Sequence, residues 1–304
     1  MLFLGETAAL LTAACWACTS ILFGFVVRHL GAFRLNLIRV TLAAVMLGGL
    51  ALLLFGTGWL VAARPRDLLV LSISGWVGLT LGDWAYFQSL HLLGPRLGTL
   101  FITLSPPLTV LLGIFVLHEH PGWRELAGMT LTIVGVAWVV LERPTDGTPR
   151  GHRIRGTACG ILGSVGQAVA LVMSKAGMSP NGGTAGGIAP LPAAAVRMFA
   201  AMVATFALAA VTRRVTESIN PGRDRRVIAA MVGATILGPG IGIWLSLVAV
   251  QRTQVGIAST LISAVPVLVL PIVVFVQKER VSPRAVFGAV VAVAGVAMLF
   301  LRGR

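Results

Sequence analysis

Two stretches of this chain repeat each other at a fixed offset, so any fold must accommodate both copies. Gly78, Gly82, Trp84, Ile102, Pro106, Leu108, Phe115, Val116, Glu119, Arg124, Gly128, Gly135, Val136 and Ala137 each find the same residue 160 positions later, from Gly238 through Trp244, Pro266 and Glu279 to Ala297, without a gap. Each copy carries apolar runs for about five bilayer crossings, at roughly 20 residues per 30 Å of hydrocarbon. Five is odd, so the second copy must enter the membrane with the opposite orientation. Inverted repeats of this kind build two alternative gates around one central site in many secondary transporters.

The spacing predicts an all-α polytopic membrane protein: ten transmembrane helices in two inverted five-helix repeats around a central cavity. Spans are expected near 6–27, 33–55, 68–90, 97–117, 123–141, 155–175, 190–211, 227–249, 256–277 and 283–301. The first repeat covers residues 1–142, a connecting loop 143–155, and the second repeat 156–304. Composition agrees, with 57% hydrophobic and 11% charged residues, where a soluble domain is about a quarter charged. The net charge of +14 comes from arginines and lysines in short connections with no interleaved aromatics. That pattern fits contact with anionic lipid headgroups and not a nucleic-acid partner. The first apolar run lacks a basic n-region and a small-residue cleavage site, so it reads as a retained span. Cys15, Cys18 and Cys159 fall inside spans and are odd in number, which implies small packing residues and no disulfide framework.

Asp83 is the one acid placed deep in a span, in the second half of the third. A charge there costs about 2.5–3.5 kcal/mol on insertion scales and must face the bundle interior or water. Burial disfavours its charged form, which would suit proton binding and release; Tyr86 lies on an adjoining face. The alternative is a structural pair with Arg39. The residue 160 positions after Asp83 is Ile243, so the charge belongs to one half, as an asymmetric substrate site requires.

Gln167 and Trp16 fall at matching positions of the two copies if Gly156 pairs with Gly5. The first helices of the halves are expected to meet near the pseudo-two-fold axis. There Gln167 and Ser164 offer hydrogen bonds, and Trp16 offers an aromatic wall. Trp84 and Trp244 recur across the copies and read as packing residues, with Trp244 also a candidate cavity contact. Pro106 and Pro266 loosen the backbone ladder and are candidate gates or hinges. Gly78 with Gly82, Gly238 with Gly242, and Gly160, Gly163 and Gly166 form small faces for close helix packing. Gly238-Pro239-Gly240-Ile241-Gly242 lacks the Lys-Ser/Thr of a phosphate loop and reads as a flexible or broken helix. Arg39 and Arg197 lie close enough to helix starts to snorkel to an interface, with anion binding as the alternative. Glu119 and Glu279 recur beside basic residues, as a salt bridge or cap would.

The stretch Tyr86-Phe87 … Gly98-Thr99 … Ser105-Pro106 … His118-Glu119-His120 … Gly128 … Gly135-Val136 resembles the EamA-type repeat of the drug/metabolite transporter superfamily. The second copy is similar at Lys278-Glu279-Arg280, Gly288 and Ala294-Gly295-Val296, and Arg39 and Arg197 match the arginine common in the second helix of each copy. The resemblance covers essentially the whole chain. It implies ten helices in two inverted halves and movement of small metabolites, often amino acids or related compounds outward, across the bacterial inner membrane. Members are drawn with both termini in the cytoplasm. Basic residues here are fewer on the termini's side, which by the positive-inside rule would place the termini outside.

No catalytic constellation is present: there is no Gly-x-Ser-x-Gly, no His-Glu-x-x-His and no paired intramembrane aspartates. His118-Glu119-His120 becomes Lys278-Glu279-Arg280 in the second copy, which argues against a metal site, and no cofactor is implied. The expected function is secondary transport of a small metabolite by alternating access, with protons as a possible coupling ion. A channel-like facilitator, or a carrier of sugars, nucleosides or amines, is the alternative.

Overall fold

A chain with almost no water-facing sequence must satisfy its backbone polar groups internally, and helices do this within one segment. The computed structural model describes residues 3–140, 150–178, 188–212, 224–265, 267–268 and 283–300; among these every regular element is helical. In chain order these are α1 (Leu4–Leu30), α2 (Ala32–Phe55), the short α3 (Gly58–Ala62), α4 (Pro65–Ser74), a π-helical segment (Gly75–Gly82) and α5 (Asp83–Leu100). A 3-10 turn (Phe101–Leu104) leads to α6 (Ser105–Leu117), α7 (Trp123–Val140), α8 (Arg150–Ala176) and α9 (Pro190–Val211). Then come α10 (Arg225–Thr235), a second π segment (Ile236–Gly242), α11 (Ile243–Arg252), α12 (Val255–Ile262) and α13 (Pro283–Phe300).

Among the described residues six helical stretches are long and apolar enough to cross a bilayer: Leu4–Leu30, Ala32–Phe55, Pro65–Leu93, Gly151–Ala176, Pro190–Val211 and Arg225–Arg252. Ser105–Leu117 and Val286–Met298 are apolar but shorter, and the ninth expected span continues beyond the described residues. Outward-facing Leu53, Val61, Phe115 and Val211 are exposed, as a hydrocarbon surrounding permits. The chain is thus a multi-pass, all-α membrane protein.

Three expectations need correction. The third and fourth spans are not separated by coil, because α5 continues to Leu100 and the 3-10 turn leads into α6. Pro106 does not kink a helix midway; it stands in the first turn of α6, where its missing N–H would have had no helical partner. Pro266 lies outside the described residues, as do Glu279 and its turn. Helix α8 begins at Arg150, inside the stretch expected to be a connecting loop.

The two π segments sit in register with the repeat, ending at Gly82 and Gly242. In the second, Pro239 cannot donate to the preceding turn and its ring crowds the carbonyl there, so the helix widens instead of breaking. Helix α1 packs against α10, the second π segment, α11 and α12, whereas α8 packs against α4, the first π segment, α5 and α6. Each copy's first helix is therefore built into the other copy. The expectation that α1 and α8 meet directly is not met: they face each other across a cavity. Between α1 and α2 the chain reverses on a single residue, Gly31, whose φ of 76° is a conformation in which a side chain is strained.

Glycine governs the closest approaches. A Cβ on Gly166 would stand 3.0 Å from Gly82 Cα, and one on Gly163 would be 3.2 Å from the Gly82 carbonyl. Between α7 and α13, a Cβ on Gly135 would collide with the backbone of Ala292 and Gly288, and one on Gly295 with Thr132. Backbone cannot yield as a side-chain tip can. We expect Gly135→Ala to destabilise the detergent-solubilised protein by about 1–3 kcal/mol. Gly49→Ala, at a glycine with open space around it, should be neutral or stabilise by up to about 1 kcal/mol. Thermal unfolding of both variants checks the contrast.

Candidate functional site

Between α1 and α8 lies a cavity of about 130 Å³. Helix α1 contributes Trp16, Thr19, Ser20 and Phe23 to its wall, and α8 contributes Gly163, Ser164, Gln167 and Leu171. Asp83, Tyr86, Phe87 and Leu90 enter from α5, Arg39 from α2 and Arg197 from α9, while Ile243 and Ser246 come from α11.

Asp83 is 7% exposed and Arg39 is 4% exposed. Arg39 Nη2 donates to Asp83 Oδ2 in a close ion pair. The other carboxylate oxygen, Oδ1, accepts from Gln167 Nε2 at 2.5 Å, so a residue of the second copy completes the site of the first. Arg39 Nη2 also donates to Asn36 Oδ1 at 2.7 Å. Asn36 in turn donates to the carbonyls of Leu79 (2.9 Å) and Thr80 (3.3 Å) in the first π segment, where a widened turn leaves acceptors misaligned with the helical ladder. The guanidinium carbon of Arg39 lies 5.1 Å from the Phe87 ring centre and 6.0 Å from that of Phe23, close enough for cation–π attraction. The expectation that Arg39 and Arg197 snorkel to an interface is overturned, since both are buried at the cavity. The alternative raised for Asp83, a pair with Arg39, is what the structure shows.

The structure brings Asp83, Trp16, Tyr86, Ser164 and Gln167 to one cavity. Tyr86 packs on Phe87 with ring centres 5.5 Å apart. The Ser164 hydroxyl faces the Gly160 carbonyl at 2.9 Å and closely approaches that of Phe101, so its proton is already engaged by backbone. Trp244 is not brought there: it is 38% exposed and not part of the wall, whereas its neighbour Ile243 is. Asn36 was not anticipated; its spacing of three residues from Arg39 on an otherwise apolar helix was the available signal.

A second polar cluster joins helices of both copies near the start of α1. Glu119, just past α6, accepts from Val255 N–H at the start of α12 through Oε2 (2.9 Å) and Oε1 (3.1 Å). Lys175 Nζ donates to Glu119 Oε1 at 2.6 Å and to the Thr253 carbonyl at 2.5 Å. Thr253 Oγ1 donates to buried Glu6 at 3.1 Å. Glu119 therefore serves as a salt bridge and as a cap, but the helix it caps belongs to the other copy. Glu6 and Trp16 are ten residues apart on α1, so the cluster stands about 15 Å from the cavity wall.

Among the described residues no group of three or more His, Cys, Asp or Glu side chains is placed to hold a metal ion. Removing the charge from Asp83 alone would leave Arg39 buried and uncompensated. We expect Asp83→Asn to lower stability by about 3–5 kcal/mol, with most of the loss recovered in Asp83→Asn/Arg39→Gln. Thermal unfolding of the single and double variants in detergent tests the coupling.

The chain resembles a solved crystal structure, described only as that of a protein, with a TM-score of 0.74 and 22% identity over 97% of this chain and 94% of the other. At that identity the likeness shows the fold alone. It is also 29% identical over 140 residues to an "Uncharacterized transporter" of Haemophilus influenzae, a match covering 46% of this chain and 45% of that protein. The alignment thus spans under half the length of that relative. The model of the EamA-like transporter family matches twice, over residues 3–141 and 154–301, the same doubling that the internal repeat displays, and the chain belongs to that family.

Proposed function

We propose that this protein is a secondary transporter that exports a small metabolite, an amino acid or a related compound, across the inner membrane by alternating access. In this reading ten spans form two inverted halves, residues 1–142 and 156–304 joined by 143–155, and the cavity between α1 and α8 holds the substrate. The observation that carries it is the Asp83–Arg39 pair, completed by Gln167 from the other half, in the wall of the cavity between α1 and α8. The Glu119–Lys175–Thr253 cluster is the closed gate of this conformation.

Asp83 links substrate and protons in this scheme. As a carboxylate it accepts from Arg39 and Gln167; a proton on Oδ1 would turn that oxygen into a donor and displace the Gln167 amide. Gln167 sits on α8, which is packed into the first copy, so its release loosens the contact between halves. Trp16 and Tyr86 form the aromatic wall, and Ser164 holds α8 to the Phe101 carbonyl. Pro106, at the start of α6, and Pro266 are the assigned hinges. Lipid contacts the exposed apolar belt, with basic connections at the headgroups.

Counterflow in proteoliposomes, with labelled amino acids, amines, sugars and nucleosides, tests this reading. We expect saturable exchange of one class, and for Asp83→Asn a rate about tenfold lower or less, from loss of a charged hydrogen bond, with a flattened pH dependence. Exchange and pH dependence unchanged in Asp83→Asn would refute the assignment of Asp83.

A further inference from the structure

The second copy retains its arginine but not its acid. Arg39 and Arg197 occupy corresponding helices, α2 and α9, yet the counterpart of Asp83 is Ile243. Arg197 is 3% exposed and lines the cavity. Among the described residues it forms no ion pair and no hydrogen bond, and its Nε is enclosed without a partner. The fold makes room for it. A Cβ on Gly75 would collide with the Arg197 carbonyl, so the first π segment packs on the α9 backbone there, and Gly78 of the same segment lies beside Arg197 Nη2.

A buried cation whose nearest acid is already bonded to a second arginine is disfavoured, and polar groups held unsatisfied in a cavity mark the place where a ligand supplies what is missing. Asp83 is ion-paired with Arg39 and attracts Arg197 without bonding to it. The three charged side chains of the cavity wall, Arg39, Asp83 and Arg197, leave one positive charge unmatched. Leu79, Ile262 and Val265 supply apolar surface on the same wall. We infer that Arg197 binds the carboxylate of the translocated solute through its two-pronged guanidinium face, and that the substrates are small carboxylate-bearing compounds with an apolar body. This assignment rests on the proposed transport reading and adds to it the charge that the solute must carry.

Matched probes separate the two. Phenylacetate, phenylacetamide and phenethylamine share one body and differ in head group, as do L-phenylalanine and its amide. Titrated against the purified full chain and followed by tryptophan fluorescence and thermal shift, the carboxylates should bind at least about tenfold more tightly than the amides and amine. Arg197→Gln should abolish that preference, and Arg197→Lys, which keeps charge but loses the fork, should retain part of it. Arg197→Met should raise the unfolding temperature of the ligand-free protein, since it removes a buried charge that makes no hydrogen bond and shares its one acid with Arg39, whereas a structural arginine would lower it. The inference is overturned if amides and amine bind as well as carboxylates, if chloride alone binds, if Arg197→Gln binds carboxylates within about threefold of the unsubstituted protein, or if Arg197→Met is destabilised. Counterflow of uncharged or cationic solutes that survives Arg197→Gln would refute the carboxylate site and leave transport standing. Carboxylate binding that depends on Arg197, without counterflow, would uphold the site and refute transport.

Discussion

An ionised carboxylate in the middle of a membrane-spanning bundle needs a cation, hydrogen-bond donors and a cavity, and Asp83 organises the molecule by requiring all three. Arg39 supplies the cation from α2, Gln167 a donor from the opposite half, and Phe23 and Phe87 enclose the guanidinium. Asn36 ties that arrangement to the first π segment, whose carbonyls it satisfies. Because these groups come from α1, α2, α5 and α8, the pair holds its geometry only while both halves are assembled.

Helix exchange gives this constraint its mechanical reach. With α1 seated in the second copy and α8 in the first, Trp16 stands with the helices of the second copy and Gln167 with those that carry Asp83. The glycines of α8 and the π segments keep backbone against backbone along that seam, with no bulky side chains to interlock. At the end nearest Glu6, a few charge-assisted hydrogen bonds join the two copies around Glu119 and Lys175, both partly exposed. Bonds of that kind contribute about 1–3 kcal/mol each and less where water screens them. Contacts of that strength suit the gate role proposed for them.

Much of this was legible from residues alone. Apolar run length placed the first, second, fifth, seventh and tenth expected spans within a few positions of described helices, but misplaced the start of the fourth. Asp83, Gln167, Trp16, Tyr86 and Ser164 were singled out from isolated polarity and copy-matching, and they do share one cavity. Arg39 and Arg197 were misplaced because spacing from a helix end measures depth and says nothing of which neighbour the side chain meets. Trp244 recurs in both copies, yet recurrence reports a shared helix position, and here that position faces outward. The cluster at Glu119 could not be read locally, because its partners lie 56 residues away at Lys175 and 136 at Val255. Pro106 was read as loosening the ladder of a continuous helix, since hydropathy does not register that a new helix starts at Ser105.

Accessibility from the two membrane faces tests the central claim, a carrier with one cavity opened alternately, most directly. Ala13 lies between the Glu119 cluster and the cavity, and Leu90 is part of the cavity wall. Each would be replaced by cysteine in a chain whose Cys15, Cys18 and Cys159 are substituted, reconstituted, and labelled with a membrane-impermeant maleimide from either side. A carrier predicts that saturating solute moves labelling at the two positions in opposite directions, with neither labelled from both sides at once. Labelling that rises at both positions together would describe a continuous channel and contradict the account.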